Sequence, residues 1–200
     1  MRNEKVKLLA SLIIVSAFIL FIFTVIKALG IVDRTQVSTE EGVYTSYVTT
    51  SKEIEEKAKY LTRVCQTKLC KVQRLLDFTT QIPYRTNTFQ KKSPQKTIQE
   101  NFGDCDDKSN MLISMLHALG IEAYFVLVPK HIFVIVPLDD ERLDESKGLW
   151  INERKYYILE TTAKGSVVGY PLKYQLDEID IIIEPFSNKK VKFKTLEYKL

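Results

Sequence analysis

Asn101-Phe102-Gly103-Asp104-Cys105-Asp106-Asp107-Lys108-Ser109 is the stretch that decides how this chain reads. Aspartate at a helix cap and in its first turn satisfies N–H groups that the helix leaves orphaned. Met111, Leu112, Met115, Leu116 and Leu119 then form one wide apolar stripe, and Gly120 is placed as a helix stop. A glycine-led turn therefore delivers Cys105 to the first turn of a buried helix. There the free N–H groups and the positive end of the helix dipole favour a thiolate. Asp104, Asp106 and Asp107 act the other way, because nearby negative charge disfavours a second anion. A positive imidazolium within hydrogen-bonding reach is needed to activate the sulfur.

The chain holds two histidines. His117 sits twelve residues along the cysteine helix, about 18 Å up its axis, and reads as a packing or surface residue. His131 follows Pro129-Lys130 and opens a run that reads as a strand, with Phe133 and Ile135 on its face. Glu160 ends another such run, Tyr156-Tyr157-Ile158-Leu159. Taken singly, each has a plain reading: a structural thiol, a satisfied histidine, a solvated carboxylate. Together, in this order, they supply what thiol-based acyl transfer needs: a nucleophile, a base, and an acid that orients the base.

The first half of the chain reads as helices. Thr50-Ser51-Lys52-Glu53 is a capping box, after which Ile54, Ala58, Leu61 and Cys65 recur at helical spacing. A second helix is expected over residues 69–80, stopping before Ile82-Pro83. Residues 85–94 read as a loop, and residues 95–101 as a short helix. Beyond the cysteine helix, residues 121–128 and 131–137 read as strands. Trp150-Ile151 and residues 156–159 flank Asn152-Glu153-Arg154-Lys155, a four-residue hairpin turn, and residues 179–183 and 191–193 add further strands. Helices first and antiparallel strands later give an α+β domain, with the cysteine helix packed on the sheet.

Residues 8–26 form a run without a charge, about the length that crosses a bilayer core of roughly 30 Å. Arg2, Lys5 and Lys7 precede it, which favours a cytoplasmic N-terminus. A cleaved signal peptide is the competing reading, although the run is long for one and Ile26-Lys27-Ala28-Leu29-Gly30 is a poor cleavage site. The expected organisation is an anchor over residues 1–30, a polar juxtamembrane linker over 31–49, and one domain over 50–200 outside the cytoplasm, periplasmic or extracellular. The formal charge of +4 comes mostly from Arg2, Lys5, Lys7 and Lys27 against Glu4, so the remainder is nearly neutral and speaks against a nucleic-acid surface. Lys189, Lys190, Lys192 and Lys194 read as a solvated strand edge.

Three cysteines fit an exported domain with one disulfide and one free thiol. Cys65 and Cys70 are the natural pair, but positions five apart point to different faces of a straight helix. A bond between them requires a break, which Thr67 could provide as a cap. Free thiols or a metal site are the alternatives.

The combination Gly103-Asp104-Cys105-Asp106-Asp107, Leu119-Gly120-Ile121-Glu122-Ala123, His131 and Tyr157-Ile158-Leu159-Glu160-Thr161-Thr162 resembles the transglutaminase-like superfamily, roughly over residues 82–169. The resemblance implies a papain-like arrangement with Cys105 as nucleophile, His131 as general base and acid, and Glu160 as the orienting carboxylate. The family usually carries Asp at the last position. Its aromatic-rich stretch after the histidine is here Ile132-Phe133-Val134-Ile135, without tryptophan. The backbone N–H of Cys105 is the obvious oxyanion donor, and Gln99 is a second candidate by analogy with papain-like enzymes. Related bacterial cysteine proteinases bind calcium near the cysteine, which makes Asp104, Asp106 and Asp107 weak calcium candidates; no cofactor is otherwise called for. The leading expectation is a membrane-anchored thiol hydrolase or acyl transferase acting on peptide or protein amides. The alternative is an inactive module of the same fold that binds a protein partner at the membrane.

Overall fold

The computed structural model describes residues 2–39, 42–86 and 92–200. It divides into two compact units, residues 1–36 and 37–200. The first is helix α1 (Arg2–Thr35), within which Leu9–Lys27 is long and apolar enough to cross a membrane, with a mean hydropathy of 2.9. The same properties fit a signal sequence.

The linker expected over residues 31–49 is corrected in two ways. Helix α1 continues to Thr35, and β1 (Gln36–Thr39) and β2 (Gly42–Thr45) pair after it, with residues 40–41 outside the described ones. Residues 44–49 then belong to the globular unit. Tyr44 is buried edge-on to Phe125, the Tyr47 N–H donates to Asn110 Oδ1 at 2.7 Å, and the Thr49 N–H donates to Ser114 Oγ at 3.0 Å. This extended segment exchanges water for polar side chains of another element, a partnership that local sequence does not announce.

Four helices follow: α2 (Lys52–Leu61), α3 (Lys68–Gln81), α4 (Pro94–Glu100) and α5 (Cys105–Ala118). The cap of α2 is Ser51, one residue later than the box read at Thr50, and its hydroxyl accepts from the Ile54 N–H at 3.4 Å. Thr67 caps α3 and breaks the chain after α2, so that Cys65 and Cys70 come within 5.4 Å (Cα–Cα) and are disulfide-bonded. Ser93 caps α4, with Pro94 in its first turn. Of the loop read over residues 85–94, residues 87–91 lie outside the described ones.

The sheet comprises β3 (Tyr124–Val128), β4 (His131–Val136), β5 (Gly148–Ile151), β6 (Arg154–Leu159), β7 (Ile181–Glu184), β8 (Lys189–Lys190) and β9 (Leu196–Lys199). Their spatial order is β8-β7-β3-β4-β6-β5-β9, and every neighbouring pair is antiparallel. Three expectations shift. The β5–β6 turn is Asn152-Glu153 alone, with φ of 47° and 67°, the positive values that a tight two-residue hairpin demands. Residues 121–123 precede the strand, because Gly120 at φ 68° turns the chain and the Ile121 N–H returns to the Leu116 carbonyl. Residues 191–193 are not a strand: Val191 makes one bond to Ile182 and then packs, like Phe193, onto the sheet face.

Alternation along the strands divides the core into two layers. Phe125, Leu127, Val134 and Leu159 face Leu112, Met115 and Leu116 of α5 and the residues of α2 and α3. Val126, Phe133, Ile135 and Ile158 face the opposite way, where Tyr170, Leu172, Tyr174 and the C-terminal segment cover them. The molecule is thus an α+β fold with the cysteine helix packed on an antiparallel sheet.

Candidate active site

Cys105 is set by the joint between α4 and α5. Asn101 ends α4 in the left-handed region at φ 53°, and Gly103 pairs with Tyr84 in a short parallel bridge. Its N–H donates to the Pro83 carbonyl at 3.2 Å, and its own carbonyl accepts from the Arg85 N–H at 3.1 Å. A Cβ on Gly103 would stand 2.8 Å from Asp107 Cβ and 3.2 Å from Thr97 Cγ2, so the close approach requires glycine. Asp104 caps α5, its side chain accepting from the Asp107 N–H at 3.0 Å. Cys105 is then the first helical residue, a free, half-buried thiol.

His131 begins β4, and Glu160 directly follows β6. The register Val134–Leu159, carried on by one residue, sets Phe133 opposite Glu160. His131 lies two positions along on the same face, within the diagonal reach of a long side chain. Its Nε2 is 2.9 Å from Glu160 Oε2. The other carboxylate oxygen accepts from Thr162 twice, from the N–H at 2.9 Å and from Oγ1 at 2.5 Å. The Cys105 side chain lies near enough to the same ring to raise its pKa. With Nε2 held by the carboxylate, Nδ1 is the nitrogen left for the sulfur.

Burial is the largest influence on His131 and opposes its charge. Interactions with Cys105 and then the hydrogen bond to Glu160, with their charges, outweigh it and raise the ring from 6.5 to about 9. Glu160 is only 8% exposed, and burial pushes it up, but the His131 and Thr162 hydrogen bonds prevail and hold it below the ordinary carboxylate value. Lys108, one turn along α5 from the thiol, is 1% exposed and donates to the Ile82 carbonyl at 2.9 Å. Burial lowers its pKa from 10.5 to about 8, against the opposing charge of Glu160. At the same level Ser109 and Thr161 join their hydroxyls at 3.3 Å, tying the helix to the chain just beyond Glu160.

Other residues singled out in the sequence have separate surroundings. Gln99 lies exposed on α4, with no hydrogen bond to the thiol among the described residues. The three aspartates diverge: Asp104 caps the helix, while Asp107 turns inward and accepts from the Lys92 N–H at 2.9 Å. Among the described residues no group of three or more His, Cys, Asp or Glu side chains could hold a metal ion. His117 stacks on Phe186, ring centroids 3.8 Å apart. Thr162, Lys108 and Tyr174, whose ring stacks on His131 at 6.0 Å, were not legible as site residues. Thr162 alone left a signal, a hydroxyl two residues after the acid.

Residues 55–134 match the model of the Transglutaminase-like superfamily, a stretch that includes Cys105 and His131 and ends before Glu160. None of the curated proteins compared with the chain matches it. Among solved structures, the chain is similar to a candidate cysteine protease from Cytophaga hutchinsonii, at 18% identity and a TM-score of 0.45. That match covers 78% of this chain and 53% of the other. A candidate protease from Parabacteroides distasonis matches at 14% identity and a TM-score of 0.45, over 70% of this chain and 27% of the other. Legionella pneumophila LapG matches at 16% identity and a TM-score of 0.38, over 62% of this chain and 78% of the other. The chain thus spans about half and about a quarter of the lengths of the first two. The match over residues 55–134 agrees with the resemblance read from Gly103-Asp104-Cys105 onward: that stretch is similar to the transglutaminase-like superfamily.

Proposed function

We propose that this protein is a membrane-anchored thiol enzyme, a hydrolase or acyl transferase, that acts on peptide or protein amides through Cys105, His131 and Glu160. One observation carries the reading: a single imidazole is hydrogen-bonded to the Glu160 carboxylate and lies close enough to Cys105 for the sulfur to raise its pKa. A raised ring favours the imidazolium, whose charge stabilises an adjacent thiolate. The thiolate attacks the amide carbonyl and forms the C–S bond. Negative charge on the oxygen is met by the Cys105 N–H, one of the donors that the start of a helix leaves unpaired. The imidazolium gives its proton to the departing amine as the C–N bond breaks, leaving a thioester. Water or an amine then attacks the thioester, with the neutral imidazole accepting its proton and returning it as the thiol leaves. Glu160, held on its far oxygen by Thr162, orients the ring throughout.

The anchor rests on the apolar segment Leu9–Lys27, with the basic N-terminal flank on the cytoplasmic side and the enzyme unit periplasmic or extracellular. A disulfide at Cys65–Cys70 suits that compartment.

Cys105 is the free cysteine, so alkylation reports on it alone. The full chain in detergent should react with iodoacetamide at about pH 6 at least ~10-fold faster than free cysteine, whose thiolate is scarce there. His131→Ala should remove that advantage, and turnover of a glutaminyl peptide should go with it. A thiol no faster than free cysteine, and indifferent to His131, would leave only a binding module.

A further inference from the structure

The enclosed face of the sheet next to Glu160 is covered by a strap, residues 169–175, that no step of the mechanism uses. The strap is tied down over its first half. The Gly169 and Tyr170 N–H groups both donate to the Ile158 carbonyl at 3.1 Å, and the Leu172 N–H donates to Tyr198 Oη at 3.2 Å. Gly169 makes the turn at φ 84°. Two residues beyond the last tie the strap lays Tyr174 nearly parallel to two rings at once. Its centroid is 6.0 Å from that of His131 with an interplanar angle of 20°, and 6.2 Å from that of Phe133 with an angle of 12°. The space left between strap and sheet, lined by Phe133, Ile158, Glu160, Leu172 and Tyr174, measures about 10 Å³. That is the room of about one water molecule. Little water therefore fits beside Glu160 under the strap.

We propose that Tyr174 is a positioning residue of this site: its ring lies over the imidazole and Phe133 together and shields the His131–Glu160 hydrogen bond from solvent. The inference rests on the reading of Cys105, His131 and Glu160 as the reacting set. It gives the absence of tryptophan after the histidine a counterpart, an aromatic cover supplied by a distant loop. The groups around this cover are Cys105 on α5, Glu160 after β6, and Lys173, Tyr174 and Glu178 on the strap side, with Lys108 behind Glu160. Tyr174 is a neutral cover: burial first, then the charges of Glu160 and Cys105, push its hydroxyl upward.

A buried hydrogen bond is stronger than one open to water, because solvent screens its charges and competes for its partners. Burial lowers the ring and its hydrogen-bonding and charged partners raise it by more, so water that reaches the carboxylate and competes for the ring lets the midpoint fall toward its ordinary 6.5. The chain has two histidines, so His117→Gln leaves one imidazole signal to follow by NMR. In that background, with the full chain in detergent, Tyr174→Ala should lower the His131 midpoint by about one unit or more. Alkylation of Cys105 should slow about tenfold at the same time. Tyr174→Leu, which keeps an apolar cover but no ring, should fall between alanine and the parent. Tyr174→Phe keeps both face and volume and should restore the parent titration.

A Tyr174→Ala titration and alkylation rate equal to the parent's would overturn the proposal, as would Tyr174→Phe losing as much as Tyr174→Ala. A merely structural strap would lower the melting temperature without moving the midpoint. The underlying reading fails separately, when the parent itself shows an ordinary His131 midpoint and a thiol indifferent to His131→Ala.

Discussion

His131 Nε2 lies 2.9 Å from Glu160 Oε2, and Thr162 holds the other oxygen of the same carboxylate from two sides. The glutamate spans a diagonal between β4 and the end of β6, where its extra methylene relative to aspartate provides reach. An amide at this position would keep the shape and lose the charge. Glu160→Gln should therefore lower the His131 midpoint from about 9 toward 6.5. Amide turnover should fall by roughly 10²–10⁴-fold, as when an orienting carboxylate is neutralised. NMR titration and a peptide-amidase assay check the two halves.

The same bond shapes stability against pH. His131 has a folded value, about 9, above its unfolded 6.5, so its contribution is fully present below about pH 6.5 and is lost as pH rises toward 9. At about 1.4 kcal/mol per unit, the loss over the whole range is on the order of 3 kcal/mol. Glu160 is held below its ordinary 4.5, so its contribution is present above that value and is lost as pH falls. Melting temperatures measured in steps should be highest between about 4.5 and 6.5. A level profile from 6.5 to 8 would contradict this.

Lys108 works in the opposite sense. Its folded value of about 8 lies below the unfolded 10.5, so the unfolded chain holds the proton more tightly and stability rises with pH between those values. Lys108→Met should remove that rise while leaving the fall from 6.5 to 8 in place. Melting curves of parent and variant at about pH 9 to 10.5 separate the two.

Gly103→Ala places a Cβ 2.8 Å from Asp107 Cβ, on a helix that is buried almost throughout. The joint between α4 and α5 must open, at a cost of about 1–3 kcal/mol. Since Cys105 is two residues on, alkylation should slow along with the loss in denaturant midpoint. An unchanged thiol rate would mean that the joint does not set the sulfur.

Reducing Cys65–Cys70 opens a very short loop between α2 and α3. The loop-entropy model gives about 2 kcal/mol, or a drop of roughly 4–8 °C in melting temperature. The fast reaction of Cys105 should survive, because Ser109–Thr161 and the sheet, not the disulfide, hold α5 against the Glu160 end of β6.

Much of this was written locally. Periodicity, Gly103, the Asp104 cap and the stop at Gly120 determined α5 and put Cys105 at its start. Runs of β-branched and aromatic residues located β3, β4 and β6, and the order thiol, imidazole, carboxylate carried the resemblance to the superfamily whose model matches residues 55–134. These signals depend on neighbours within a few positions, where helix caps and side-chain alternation act. Tertiary structure decided the rest. Residues 44–49 look like a polar linker until Asn110 and Ser114 appear opposite their backbone. Glu160 becomes a partner of His131 through the β4–β6 register, and Lys108 becomes buried through the docking of α5. Tyr174 covers the imidazole only because a loop far along the chain folds back over the sheet. Such contacts join residues distant in sequence, and what selects them is the fit of packed faces and the satisfaction of buried polar groups, neither of which a local pattern records.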